Sequence, residues 1–187
     1  RGGEIVAEQK YSEGDKDFRA QLTAIRTTRP DVIAATGFYT EAALICIQAR
    51  SLGLDIPFIG GDGWEAPQLM ELGGKAVEGT YYSTYFSAEN DAPEVKAFVQ
   101  HYRARWNGET PEAVSALGYD AINLIALAME RIGTTDGAKL RDAIAATKDF
   151  PGVTGKTTID EKRNSAKPAV MLIVKNGLTA FFESVKP

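Results

Sequence analysis

The sequence predicts an α/β fold, a parallel sheet with helices on both faces. Its first half alternates short apolar runs with helical stripes and reads βαβαβαβ, and strands joined by helices lie parallel. The runs are too short to be helices and are bounded by turn residues, as in Val32–Thr36 and Ile56–Ile59. The proportions are those of a globular chain. It has 187 residues, 44% hydrophobic and 25% charged, enough for one ordinary domain or two small lobes.

Glu4–Tyr11 alternates as a strand, with Ile5 and Ala7 on one face. Gly14–Asp17 is a turn, and Asp17 suits a helix N-cap. Phe18, Leu22 and Ile25 then recur at helical spacing until Arg29-Pro30-Asp31 stops the helix. Val32–Thr36 reads as a buried strand and Gly37–Thr40 as a loop, with Thr40 suited to cap the next helix. Ala42, Ile45, Ala49 and Leu52 mark that helix, and Gly53 suits its stop. Ile56–Ile59 is a second buried strand, closed by Gly60-Gly61-Asp62-Gly63. A short helix near Ala66–Glu71 and a Tyr/Thr-rich strand at Gly79–Phe86 complete this half. Ile33, Ala35, Ile45, Ile56, Ile59, Val170 and Leu172 are its expected core.

The character changes after Phe86. Ser87–Pro93 is polar and turn-rich, a candidate hinge. A helix opening at Pro93 turns Val95, Phe98, Tyr102 and Trp106 inward, Pro111–Arg131 is a long helix ended by Gly133, and Asp136–Thr147 is a third. Gly152–Asp160 holds a short strand, and Asp160–Pro168 is a second candidate hinge. The tail is a hairpin, Ala169–Val174 and Leu178–Ser184 about Lys175-Asn176-Gly177, because Asn-Gly between alternating runs favours a tight turn. Helices with so little sheet to cover read as part of something larger, and the chain opens on Arg1 rather than a methionine.

Several function classes are excluded. A net charge of −4 lacks the basic footprint of a nucleic-acid binder. No uninterrupted apolar run reaches the ~20 residues of a membrane span. One cysteine, Cys46, permits no internal disulfide and no cysteine-based zinc site, and one histidine, His101, permits no histidine-rich metal site. Any nucleophilic triad would have to use His101, which sits among surface-type residues. The Gly60–Gly63 loop lacks the Lys-Ser/Thr of a phosphate-binding loop, and no Gly-x-Ser-x-Gly elbow occurs. Nothing here reads as an enzyme, and no metal or cofactor is expected.

An ordered set of segments carries a resemblance. They are Tyr11-Ser-Glu-Gly-Asp-Lys-Asp-Phe18, Arg29-Pro-Asp-Val-Ile33, Thr36-Gly-Phe-Tyr-Thr-Glu41, Gln48-Ala-Arg-Ser-Leu-Gly-Leu54, Ile59-Gly-Gly-Asp-Gly-Trp64, Gly118-Tyr-Asp-Ala121 and Thr154-Gly-Lys-Thr-Thr-Ile-Asp160. Together they resemble the substrate-binding proteins of branched-chain amino-acid ABC transporters, of the type I periplasmic-binding (Venus-flytrap) fold. The resemblance implies a two-lobed protein roughly twice this length, with this chain as its C-terminal half. Residues 1–84 and 169–187 would form lobe 2, and 85–168 the C-terminal part of lobe 1, most of which is missing. It implies an extracytoplasmic or periplasmic receptor that takes an amino acid, aliphatic or branched-chain, into an inter-lobe cleft and presents it to a membrane permease. Its partners would be the amino acid, the permease and the missing N-terminal half. The same fold also serves ligand-sensing regulators, and receptors for aromatic acids or small amides.

The site expected from this combination lies beyond strand C-termini, where open α/β sheets bind ligands. Asp62, among Gly60, Gly61 and Gly63, would meet the ligand's ammonium, as an acidic residue does at this loop of the resembled family; otherwise it makes an Asx turn. Gly37, Phe38 and Tyr39 occupy the other loop, where the family places aromatics on the ligand, and Phe38 has no phenolic hydroxyl to donate. Trp64 walls the cleft or covers the lobe edge. Glu41 and Cys46 read as structural, and Tyr119 and Asp120 as packing near the hinge.

Overall fold

The computed structural model describes residues 2–185. The chain divides into two compact units, Arg1–Thr84 with Met171–Phe182, and Tyr85–Val170 with Glu183–Pro187. The chain leaves the first unit after Thr84, re-enters it at Met171 and leaves it again after Phe182.

The first unit runs α1 (Arg19–Thr27), β1 (Ile33–Ala34), α2 (Tyr39–Ser51), β2 (Phe58–Gly60), a 3₁₀ turn at Asp62–Trp64, α3 (Pro67–Gly73), a second 3₁₀ turn at Gly74–Val77, and β3 (Tyr81–Thr84). β1 pairs β2 and β2 pairs β3, both parallel, with Ile33 opposite Phe58 and Ile59 opposite Tyr81. Asp17, expected to cap α1, lies one residue before it: Phe18 holds the N-cap position with no side chain capping the helix, and the Asp17 carboxylate accepts the Arg19 N–H at 3.1 Å. Phe18 and Leu22 anchor the helix in the core. α2 buries Ala42, Ala43, Ile45, Cys46 and Ala49 on one side, and the Gln48 amide carbonyl accepts the Phe18 N–H at 2.7 Å, tying α1 to α2.

Several expectations are corrected here. Residues 4–11 form no strand: Ile5 is 86% exposed, and no strand among the described residues includes this segment. β1 and β2 are buried on one face only. Phe58 takes the core position, while Ile59 is 40% exposed and Val32 is exposed beside it. In a strand a neighbour faces the opposite side, so burying Phe58 turns Ile59 outward. Ala35 and Ile56 are half-buried rather than core. Thr40 caps nothing, because α2 begins one residue earlier with Phe38 at its N-cap and no side chain capping it.

The second unit contains α4 (Pro93–Arg105), α5 (Ala113–Ile132), α6 (Gly137–Ala145), β4 (Phe150–Gly152), β5 (Gly155–Ile159) and β6 (Ser165–Ala166). Its core gathers Phe86, Val95, Phe98, Val99, Ala113, Ala116 and Val153. Trp106 lies outside it and is exposed. The reason is that α4 ends at Arg105, so the helical phase that turns Val95 and Phe98 inward stops short of Trp106. α5 ends as expected at Gly133 in a left-handed conformation, φ 65°. Asp136 caps α6, accepting the Lys139 N–H at 2.9 Å. The single strand expected over 152–160 is instead a three-stranded antiparallel sheet, β4-β5-β6. At 20 residues α5 is also long and apolar enough, by length and composition, to cross a membrane. The sequence reading missed this because Asp120, Asn123 and Glu130 interrupt the apolar run.

β7 (Ala169–Lys175) and β8 (Leu178–Val185) complete a five-stranded sheet of order β1-β2-β3-β7-β8. Val170, Leu172 and Val174 are buried along β7. Asn176 and Gly177 both have positive φ, 55° and 72°, as a type I′ hairpin turn requires.

Candidate functional site

Two loops leave the C-terminal ends of β1 and β2, and the structure brings them together. Gly37 has φ +124°, and a Cβ there would collide with the Tyr11 hydroxyl. That hydroxyl donates to the Thr36 carbonyl and pins the end of the loop. The Tyr11 ring meets Phe18 edge-on at 5.3 Å, and its pKa is raised by burial and then by the Glu41 charge. Glu41, in the first turn of α2, is buried and accepts the Gly14 N–H at 3.0 Å. A carboxylate suits that helix end, so Glu41 has the structural role expected of it. Phe38 is 59% exposed at the mouth of this loop, and Tyr39 is half-buried.

Two glycines of the second loop, Gly60 and Gly63, are required by close approach, whereas Gly61 faces open space. A Cβ on Gly60 would strike the Trp64 ring. A Cβ on Gly63 would lie 2.5 Å from the Gly37 carbonyl oxygen and 3.1 Å from the Phe38 ring. Gly37, Phe38, Asp62 and Gly63 therefore share one edge of the sheet. Asp62 opens the 3₁₀ turn and is exposed; its Oδ1 accepts the Gly63 N–H at 3.1 Å. No described cation pairs with it. The bond reaches the next residue rather than two residues on, so it is not an Asx turn, and the rest of the carboxylate stays open. Trp64 is fully buried, and its indole N–H finds no partner among the described residues. Its ring supports the loop from beneath.

Sequence reasoning overlooked Glu65 and Thr84. The Thr84 hydroxyl, at the C-terminal end of β3, donates to the Glu65 carboxylate. A signal existed: a 3₁₀ turn sets residue i+3 over residue i, which places a second carboxylate, Glu65, on the side of Asp62. Among the described residues no group of His, Cys, Asp and Glu could hold a metal ion. A cavity of about 390 Å³ in the second unit, lined by Leu140, Arg141, Ile144, Ile159 and Arg163 among others, involves none of the expected site residues.

A family model described as periplasmic binding protein matches residues 1–176. The chain belongs to the periplasmic binding protein family. Among curated relatives of this family member, a Leu/Ile/Val-binding protein homolog from Brucella suis biovar 1 is 30% identical over 159 residues, covering 85% of this chain and 42% of the relative. A leucine-binding protein from Thermotoga maritima superposes with a TM-score of 0.88 at 40% identity, over 95% of this chain and 51% of that one. A branched-chain amino acid transporter substrate-binding protein from Streptococcus pneumoniae, solved in complex with isoleucine, gives 0.85 at 38% identity, over 100% and 53%. The fold is thus the type I periplasmic-binding α/β fold, and the chain spans about half the length of the relatives it matches.

Proposed function

We propose that this chain supplies one half of an extracytoplasmic solute receptor for an ABC importer, and that the solute is an aliphatic, branched-chain amino acid. The supporting observation is the meeting of the Gly37–Phe38 and Gly60–Gly63 loops at the strand ends, with Asp62 exposed and unpaired between them. Asp62 takes the ligand's ammonium. Phe38 and Tyr39 give apolar contact, and Gly37 lets the backbone come close. Trp64 acts from below, holding the loop that carries Asp62. The ligand's carboxylate is left to residues outside this chain, which belong to an N-terminal half. Residues 1–84 and 169–187 are one lobe in this reading, and 85–168 part of the other. The membrane permease is the partner of the liganded form, the compartment is the periplasm or its equivalent, and no chemical turnover is involved. The names of the relatives favour this solute class over aromatic acids or amides, and no tethered output domain is needed to account for the site.

Calorimetry on the full-length protein with isoleucine tests this. Removing one member of a buried charge pair costs about 3–5 kcal/mol, so Asp62→Ala should weaken binding at least about a hundredfold. Asp62→Asn should lose less, and Phe38→Ala less again. An Asp62→Ala protein that binds within about threefold of the parent overturns the ammonium role.

A further inference from the structure

Asp120 sits midway along the apolar helix α5, buried, and both of its carboxylate oxygens are engaged. Oδ1 accepts the Val153 N–H at 2.8 Å; Oδ2 accepts the Thr154 N–H at 2.9 Å and the Thr154 hydroxyl at 2.6 Å. Gly152 permits this approach, because a Cβ there would collide with the carboxylate. With its one proton given to Asp120, Thr154 Oγ1 presents lone pairs, and Lys167 Nζ donates to it at 2.9 Å. The same ammonium lies 5.0 Å from the Tyr85 ring centroid, within cation–π reach. Lys167 is half-buried, which pulls its pKa down, while the Asp120 charge opposes that shift.

The positions of the two outer members matter. Tyr85 is the first residue of the second unit after the chain leaves the first, and Lys167 lies just before the chain returns at Met171. They are far apart in sequence, yet the Lys167 ammonium joins them: it packs on the Tyr85 ring and reaches the aspartate on α5 through Thr154. We propose that Asp120, Thr154, Lys167 and Tyr85 form a clamp that roots two of the three crossover segments, those at Tyr85 and before Met171, in the second unit, making Lys167 a positioning residue for ligand affinity although it touches no ligand. This rests on the solute-receptor reading above. Segments held in register have fewer arrangements to lose when the receptor closes on its ligand. Loosening them lowers the binding-competent fraction, and apparent affinity falls in proportion.

Two measurements test the clamp. The first is hydrogen exchange on the full-length protein. Lys167→Met keeps the aliphatic stem and removes the ammonium. Exchange should quicken roughly tenfold at both 84–87 and 166–170 together. Thr154→Val should do the same, and Thr154→Ser, which keeps the hydroxyl, should restore protection at both. Acceleration confined to 166–170, or none, overturns the clamp. The second is calorimetry with isoleucine on the full-length protein, where Lys167→Met should weaken binding about three- to tenfold. Coupled exchange with unchanged affinity overturns the role in binding. A parent protein that binds no branched-chain amino acid sinks the receptor reading instead, and leaves the exchange result to decide the clamp.

Discussion

Asp62 and Asp120 are the same side chain put to opposite uses. Asp62 makes one short-range contact, to its neighbour's N–H, and keeps the rest of its carboxylate open to solvent. Asp120 is buried and takes three hydrogen bonds, which is the condition for a carboxylate to tolerate burial. The glycines around Asp62 mark it in the sequence as a loop residue. Nothing local marks Asp120, because its partners Val153 and Thr154 lie far along the chain. Trp64 was legible as an aromatic beside the site but not as a buried one, since its burial depends on Gly60 making room for the ring. Cys46 gives a prediction at this scale. It is fully buried, and desolvation pushes its thiol up to about 12. A pKa raised above the unfolded value, about 8.5, means the neutral thiol is favoured in the fold. That contribution is complete below the unfolded pKa and is lost as pH rises toward 12. At pH near 8 a thiol reagent should therefore label the folded chain very slowly, and label it at once in denaturant. Rapid labelling of the native chain would contradict the packing of α2.

Elements bounded by strong local chemistry were legible, the Asn176-Gly177 hairpin and the Gly133 stop of α5, but the helix caps expected at Asp17 and Thr40 were not formed. The hairpin and the stop each depend on a few neighbouring residues. Residues 4–11 have the alternation of a strand but no ladder partner, and alternation alone cannot supply one. The β4-β5-β6 sheet was largely missed because its strands are short and their burial patterns irregular. The hairpin turn has a support that only the fold reveals. The Glu78 carboxylate accepts the Asn176 N–H at 2.9 Å and the Gly177 N–H at 2.5 Å. Glu78→Ala should cost the fold about 1–2 kcal/mol, since charged acceptors are worth more than neutral ones. Denaturant titration reads this directly, and Glu78→Gln should recover part of it. An unchanged midpoint for Glu78→Ala shows that the turn holds its own geometry.

The relatives of this chain are about twice its length, and the second unit exposes an apolar helix face. α5 exposes Val114 at 78% and Ile122 at 67%, with Gly118 and Ala121 on the same helical stripe. The stripe recurs at i, i+4 and i+8, the pattern of a helix face that packs against another layer. An apolar patch of this kind on a free chain favours association. Each aliphatic side chain it buries is worth about 1.5–3 kcal/mol, enough for a few of them to hold copies together. The 187-residue chain alone should therefore run larger than a monomer by light scattering. Ile122→Glu, on the exposed stripe and away from Asp120, should return it to a monomer without lowering its melting temperature. In the full-length protein the same substitution should be strongly destabilising, because there the charge would be placed inside a packed layer without a partner. A monomeric parent chain, or an Ile122→Glu full-length protein that melts like the parent, would show that this stripe is an ordinary solvent face.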